Sequence, residues 1–358
     1  MEEIEVTSEK RRSFAGALKE MILFILRIGI AVGIIGYLIY SNYATLAEAL
    51  GNFNFYWLIP AVLLYSVHLC VAAWRWRLLL HLQEIKISFM ESLSLTMQGF
   101  FFSLALPGGS LGGDVVKGAC IAKRAPEGKR LTGAFTILID RVLGMIGLFS
   151  LAAIAGAVSY SLLAASSAVM EIILYSLFFG CFFGMIAVIG LFFHRHFEKI
   201  KLIKWCLDFG DGITKGAVHK LMNATDSFRS AWPTLIKIII ITIVFIHLLL
   251  AAAVYCIGRG INKPAVPKVA PEIYVLATTL GNAAGVIPIT PSGTGTRDAV
   301  IGKVFAASFM ADNPELTEKE AFGIAIAISL IFTSLILIFN LSGGLFFIFD
   351  KYMRKSER

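Results

Sequence analysis

Two stretches of the chain, 184 residues apart, carry nearly the same pattern of proline, glycine, hydroxyl and carboxylate. The first reads Pro107-Gly-Gly-Ser-Leu-Gly-Gly-Asp-Val-Val-Lys-Gly118. The second reads Pro291-Ser-Gly-Thr-Gly-Thr-Arg-Asp-Ala-Val-Ile-Gly302. Aligned without gaps, Pro107 meets Pro291, Gly109 meets Gly293, Ser110 meets Thr294, Asp114 meets Asp298 and Gly118 meets Gly302. The chemistry that suits these residues is anion binding. Gly108, Gly109, Gly112 and Gly113 in the first loop, and Gly293 and Gly295 in the second, let backbone N–H groups approach a ligand closely. The hydroxyls of Ser110, Ser292 and Thr294 add hydrogen bonds. A helix that starts after each loop points its positive dipole end at the same place, and a phosphate is the simplest anion to fit.

The charged residues nearby each have two readings. Asp114 and Asp298 are caps of the helices that follow the loops, or they are proton or cation sites. Arg141, beside Asp140, pairs internally with Asp140 or Asp114, or it clamps a phosphate through its planar fork. Arg297 carries the same alternatives. In Trp74-Arg75-Trp76-Arg77 the arginines are interfacial anchors, or a cytoplasmic landing site for a phosphorylated lipid. His68 and His247 stand alone in apolar runs and are expected to satisfy helix–helix hydrogen bonds. No Walker loop, HExxH or GxSxG occurs. The chain is therefore expected to supply no ATP-driven step, to need no metal or cofactor, and not to be an enzyme.

The elements that must position these residues are membrane helices. The chain is 57% hydrophobic and 16% charged, with a mean hydropathy of +0.78, far too apolar for an ordinary soluble domain. Apolar runs of spanning length cover Met21–Tyr40, Phe55–Leu80, Leu131–Val158, Ile172–Phe193, Leu235–Ile257 and Ala321–Phe349. A span needs about 20 such residues. Two shorter runs, Leu93–Leu106 and Ile273–Ile289, each end at a Pro/Gly cluster, as re-entrant half-helices do. The first run is too long for a signal peptide's apolar core. The five cysteines form no CxxC and imply no disulfide framework.

With the N-terminus in the cytoplasm, only Arg259, Lys263, Lys268, Arg297, Lys303 and Lys319 of the 32 basic residues fall outside, as the positive-inside rule requires. The net charge of +8 thus reports topology and a fit to anionic headgroups, not nucleic-acid binding. The reading is an all-α polytopic membrane protein of six transmembrane helices plus two re-entrant helical hairpins in an inverted-topology repeat. Residues 1–20 form a cytoplasmic segment. Residues 21–160 form the first repeat, with a hairpin over 91–118. Residues 161–350 form the second, with an interfacial cytoplasmic segment 194–234 and a hairpin over 272–303. Residues 351–358 form a cytoplasmic tail.

Trp74-Arg-Trp76, Pro107-Gly-Gly with Asp114 and Lys117, Asp140-Arg141-xx-Gly144 and Pro288-Ile-Thr-Pro291-Ser-Gly-Thr-Gly295 together resemble the transmembrane domain family of lysylphosphatidylglycerol synthases. The resemblance covers roughly residues 20–350. It departs at Ser292 and Asp298, where family members commonly carry a second Gly and a Glu. It implies a lipid translocase moving an anionic or aminoacylated phospholipid, or a polyprenyl-phosphate lipid, between the leaflets of a prokaryotic cytoplasmic membrane. The partners expected are membrane lipids, with a separate lipid-modifying enzyme and further copies of the chain as candidates. Two other classes compete: a membrane-embedded glycosyltransferase or lipid-modifying enzyme, and a small-solute transporter with inverted repeats. The threading has a direct test. A cysteine placed at Asn313 should react with a membrane-impermeant maleimide from outside intact cells, and reaction only after lysis would overturn it.

Overall fold

The computed structural model describes residues 32–106, 110–159, 231–261, 269–286 and 293–356, residue 290, and scattered positions within 22–30, 172–186 and 204–228. The expected interfacial segment 194–234 and the run Ile172–Phe193 fall largely outside the described residues. So do Gly108, Gly109, Ser292 and the side chain of Ser110.

Everything described is helical apart from turns and one isolated bridge between Phe53 and Ile261. A helical stretch Val32–Ser41 leads into α1 (Tyr43–Gly51). A short 3-10 turn, Phe55–Trp57, follows, its first orphan donor held where the Asn54 side chain accepts from Tyr56 N. Next come α2 (Leu58–Leu82), α3 (Phe89–Ala105), α4 (Ser110–Arg124) and α5 (Arg130–Val158). After residue 231 the chain forms α6 (Trp232–Thr242), a π-helical turn (Ile243–His247), α7 (Leu248–Gly260), α8 (Pro271–Val286), α9 (Thr296–Asp312) and α10 (Glu318–Ser356). Among the described residues, four helical stretches are long and apolar enough to cross a bilayer: Phe55–Leu82, Arg130–Val158, Pro233–Gly260 and Glu318–Phe349.

Helix starts are set by local chemistry. At α3, Ser88 Oγ accepts from Glu91 N at 3.1 Å while the Glu91 carboxylate accepts from Ser88 N at 2.7 Å, a reciprocal capping box. Outside the apolar elements, Lys129 donates to Glu84 and ties the α4–α5 loop to the α2–α3 turn. That hydrogen bond holds the Glu84 carboxyl below the usual carboxylate range.

The two short apolar runs form the first arms of antiparallel helix pairs. In α3–α4, Gly99 faces Gly113 and Lys117, and Ser103 faces Gly113. In α8–α9, Gly285 faces Gly293 and Arg297, and Gly281 faces Ile301. Contact at Gly113 is backbone to backbone: a Cβ there would lie 2.0 Å from the Gly99 carbonyl oxygen. Small residues are what permit such approach between membrane helices.

The packing pairs off between the two sets of helices. α3 lies on α4 as α8 lies on α9; α4 lies on α5 as α9 lies on α10; and α2 meets α3 as α7 meets α8. Each long helix after a hairpin also touches the other set's hairpin, α5 against α8 and α10 against α3. α2 and α7 pack on one another at the centre of this exchange. The largest apolar cluster sits there, with Ala61, Ala253, Ala277, Phe305, Ala325 and Phe332 fully or almost fully buried. Gly113→Val should therefore splay the first hairpin, at a cost of about 1–3 kcal/mol or more for overpacking. Gly118→Ala, whose added carbon would sit 3.6 Å from Ile137, should be tolerated. Thermal unfolding in detergent checks both.

Candidate functional site

Five charged side chains gather where α2, α4 and α5 meet. Arg75, near the end of α2, turns inward and uses its whole fork. Its Nε donates to Asp140 Oδ1 at 2.8 Å, one terminal nitrogen to the Asp140 carbonyl at 3.3 Å and the other to Thr242 Oγ1 at 3.1 Å. The pair is well buried, with side chains 8% and 15% exposed. Gly144 makes room for the guanidinium, whose terminal nitrogens lie 3.6 and 3.7 Å from where a Cβ would be. Arg75 thus links α2, α5 and α6. Arg77, two residues on, points elsewhere: its Nε donates to the Ile87 carbonyl at 2.9 Å and closes the α2–α3 turn.

The first loop's carboxylate finds the second arginine. Asp114 sits one turn inside α4, which begins at Ser110, and accepts from Arg141 Nε of α5. This pair is half-exposed. Gly112 and Gly113 are buried beside it. Lys117, one turn further along α4, is 7% exposed. Its ammonium rests 3.7 Å from the centre of the Trp76 ring, a cation–π seat. Trp76 is itself fully buried and donates to Thr136 Oγ1 at 3.0 Å. Asp140, Asp114, Arg75 and Arg141 all act electrostatically on the Lys117 amine, yet it makes no ion pair among the described residues. Two arginine–carboxylate pairs therefore leave the lysine's positive charge in excess.

The second loop is arranged differently. Gly293 and Gly295 adopt φ of +70° and +89°, a left-handed backbone that only glycine takes readily. Gly295 is the N-cap of α9, and the Asp298 carboxylate at N3 accepts from Gly295 N at 2.8 Å. The other carboxylate oxygen accepts from Ser329 at 2.6 Å and Thr333 at 2.5 Å, both on α10. Arg297 donates to the same Thr333 hydroxyl at 2.6 Å, so one hydroxyl links the adjacent charges. The guanidinium lies 5.6 Å from the Phe332 ring, and its Nε is buried with no hydrogen-bond partner among the described residues. Thr294 is buried in the turn. In both halves, then, the loop carboxylate engages the long helix that follows: Arg141 on α5 for Asp114, hydroxyls on α10 for Asp298.

Reading the residues alone does not single out Thr242, Ser329 or Thr333. The i, i+4 spacing of Ser329 and Thr333 is the available signal, since it puts both hydroxyls on one helix face. Thr242 carries none.

A fold of long apolar helices and broken helical hairpins, with charges buried between them, defines a multi-pass membrane protein. The family described as "Lysylphosphatidylglycerol synthase TM region" matches residues 24–339. The chain belongs to that family. It is also similar to a UPF0104 membrane protein of Pyrococcus horikoshii, at 29% identity over 89 residues, covering 25% of this chain and 27% of that protein. The matched stretch thus spans about a quarter of that relative.

The Arg75–Asp140 contact yields a stability prediction. Asp140→Asn leaves a buried guanidinium without its counter-charge and should lower stability by about 3–5 kcal/mol. Replacing both residues with apolar ones (Arg75→Met with Asp140→Leu) should recover most of the loss. Apparent melting temperatures of Arg75→Met, Asp140→Leu and the double variant check the coupling.

Proposed function

We propose that the chain moves a phosphate-bearing lipid between membrane leaflets, the headgroup travelling through the space between the two hairpins while the acyl tails stay in the bilayer. The observation that carries this reading is that each hairpin holds a basic side chain, Lys117 and Arg297, more than nine-tenths buried and without a carboxylate partner among the described residues. A buried cation of this kind is expensive in a membrane unless an anion meets it at some stage of the working cycle. Lipid phosphate supplies such an anion, and the half-exposed Arg141–Asp114 pair gives a polar rim at which it can exchange partners. Membership in a family named for a phospholipid synthase's membrane region supports a lipid cargo over a free solute.

In this reading the chain has six spans and two re-entrant hairpins. The exchange symmetry of the packing reflects an inverted repeat about an axis in the membrane plane. The membrane is a prokaryotic cytoplasmic membrane with both chain ends inside. The natural partners are membrane lipids, a separate enzyme that builds or modifies them, and further copies of the chain. In this reading Arg75 serves as an internal tie instead of a headgroup ligand, because each of its three guanidinium nitrogens donates within the protein.

Reconstitution in liposomes tests the proposal. Fluorescent phospholipid in the inner leaflet should become accessible to dithionite in the presence of the parent protein. Arg141→Ala, Lys117→Gln and Arg297→Ala should each slow that appearance by about 10-fold or more, the worth of one charge-assisted hydrogen bond to phosphate, while eluting as folded protein. Parental rates in all three variants would leave these residues with structural roles only.

A further inference from the structure

His68 and His247 come from α2 and from the π-helical turn that leads into α7. These are the two elements that cross at the centre of the packing. Each histidine lies near the middle of its apolar stretch, His68 within Phe55–Leu82 and His247 within Pro233–Gly260. Both are more than nine-tenths buried, at 9% and 8% exposure, and the elements that carry them are in contact.

His247 Nε2 lies 3.1 Å from the Gly144 carbonyl. A carbonyl accepts, so the ring nitrogen facing it carries the hydrogen, and in the neutral imidazole the other nitrogen is a bare lone pair. Among the described residues, neither His247 Nδ1 nor His68 Nδ1 has a partner, although both are buried. The site therefore holds a vacant proton acceptor at His247 Nδ1 and a second unpartnered ring nitrogen at His68 Nδ1, one from each half of the packing. π-Helical turns concentrate at working parts of proteins. Here the turn brings His247 into the notch on α5, where a Cβ at Gly147 would lie 3.3 Å from the imidazole.

From this geometry we infer that His68 and His247 form a proton-binding site at the α2–α7 crossing, and that loading it shifts the crossing between two arrangements during transport. The inference names a coupling ion for the translocation proposed above and rests on that reading for its transport arm. The charged and titratable groups around the pair are Arg75 and Tyr65 of α2, Asp140 of α5 acting through Arg75, and Arg297 of α9 beyond Tyr65. Tyr65 contributes a ring 5.4 Å from His68 and no charge. The Arg75 guanidinium and the His247 ring lie against the same residue, Gly144, so a positive charge on the ring would face a fixed one. The arrangement described is thus the unprotonated one. Proton uptake belongs to an arrangement in which the crossing loosens and water reaches Nδ1. Acid populates that arrangement, because a ligand favours whichever state binds it better.

The test uses the full-length protein with His68→Gln, His247→Gln and the double variant. Glutamine keeps an N–H for the carbonyl but cannot take a proton. In liposomes the parental translocation rate should change by about fivefold or more between about pH 8 and about pH 5.5, the range over which histidine titrates. The double variant should run at one rate throughout. Independently of any lipid, hydrogen–deuterium exchange over residues 240–250 in detergent, corrected for intrinsic rates, should rise about tenfold in acid for the parent and not for the double variant. A parent indifferent to pH in that exchange, or a double variant that responds as the parent does, overturns the proton site. Absence of lipid movement at every pH, with the exchange response intact, instead removes the lipid reading and leaves the proton site standing.

Discussion

An ion pair in a membrane interior must be satisfied by the protein itself, because neither water nor salt is there to help. Arg75 is where this chain meets that demand most completely. One guanidinium joins Asp140, the Asp140 carbonyl and Thr242, and so joins α2, α5 and α6. Neighbouring features follow from it. Gly144 is small because the fork lies against it. Its carbonyl also accepts from His247. Asp140, held by Arg75, puts the adjacent Arg141 on the outer side of α5, where it meets Asp114 of the hairpin. The two arginine–carboxylate pairs form a chain from the packed centre to the half-exposed rim.

The hairpins solve a second problem, that of unpaired backbone in a broken helix. In the second hairpin the answer is explicit. Glycines at positive φ turn the chain, and Asp298 takes the first free N–H of α9. The carboxylate is then stabilised by hydroxyls instead of by a cation. In the first hairpin the corresponding carboxylate takes a guanidinium. The halves share a plan and differ in electrostatics: one hairpin sits among five charges, the other among two charges and a set of hydroxyls.

Much of this was legible in the residues. The duplicated Pro/Gly motif marked both breaks, between Ala105 and Ser110 and between Val286 and Thr296, because nothing else interrupts an apolar run so abruptly. The long helices followed from the length of their apolar runs. The neighbourhood of Asp114, Asp140 and Arg141 also followed, since charges in apolar runs have few places to go. The direction of Arg75 did not. At the end of a span, two arginines read alike as anchors, although residues two apart point about 200° apart around a helix and only one of them can face lipid. The π-helical turn was invisible, because it changes the winding without any residue type that announces it. The hydroxyls of Thr242, Ser329 and Thr333 were silent for a related reason: a threonine in an apolar run contrasts little with valine.

The crossed arrangement of α5 and α10, each leaning on the hairpin of the opposite set, makes the two halves interlock like clasped hands. Neither can tilt as a rigid body without dragging the other's broken helix along. The interlock means that a displacement of either hairpin is passed directly to the long helix of the opposite set.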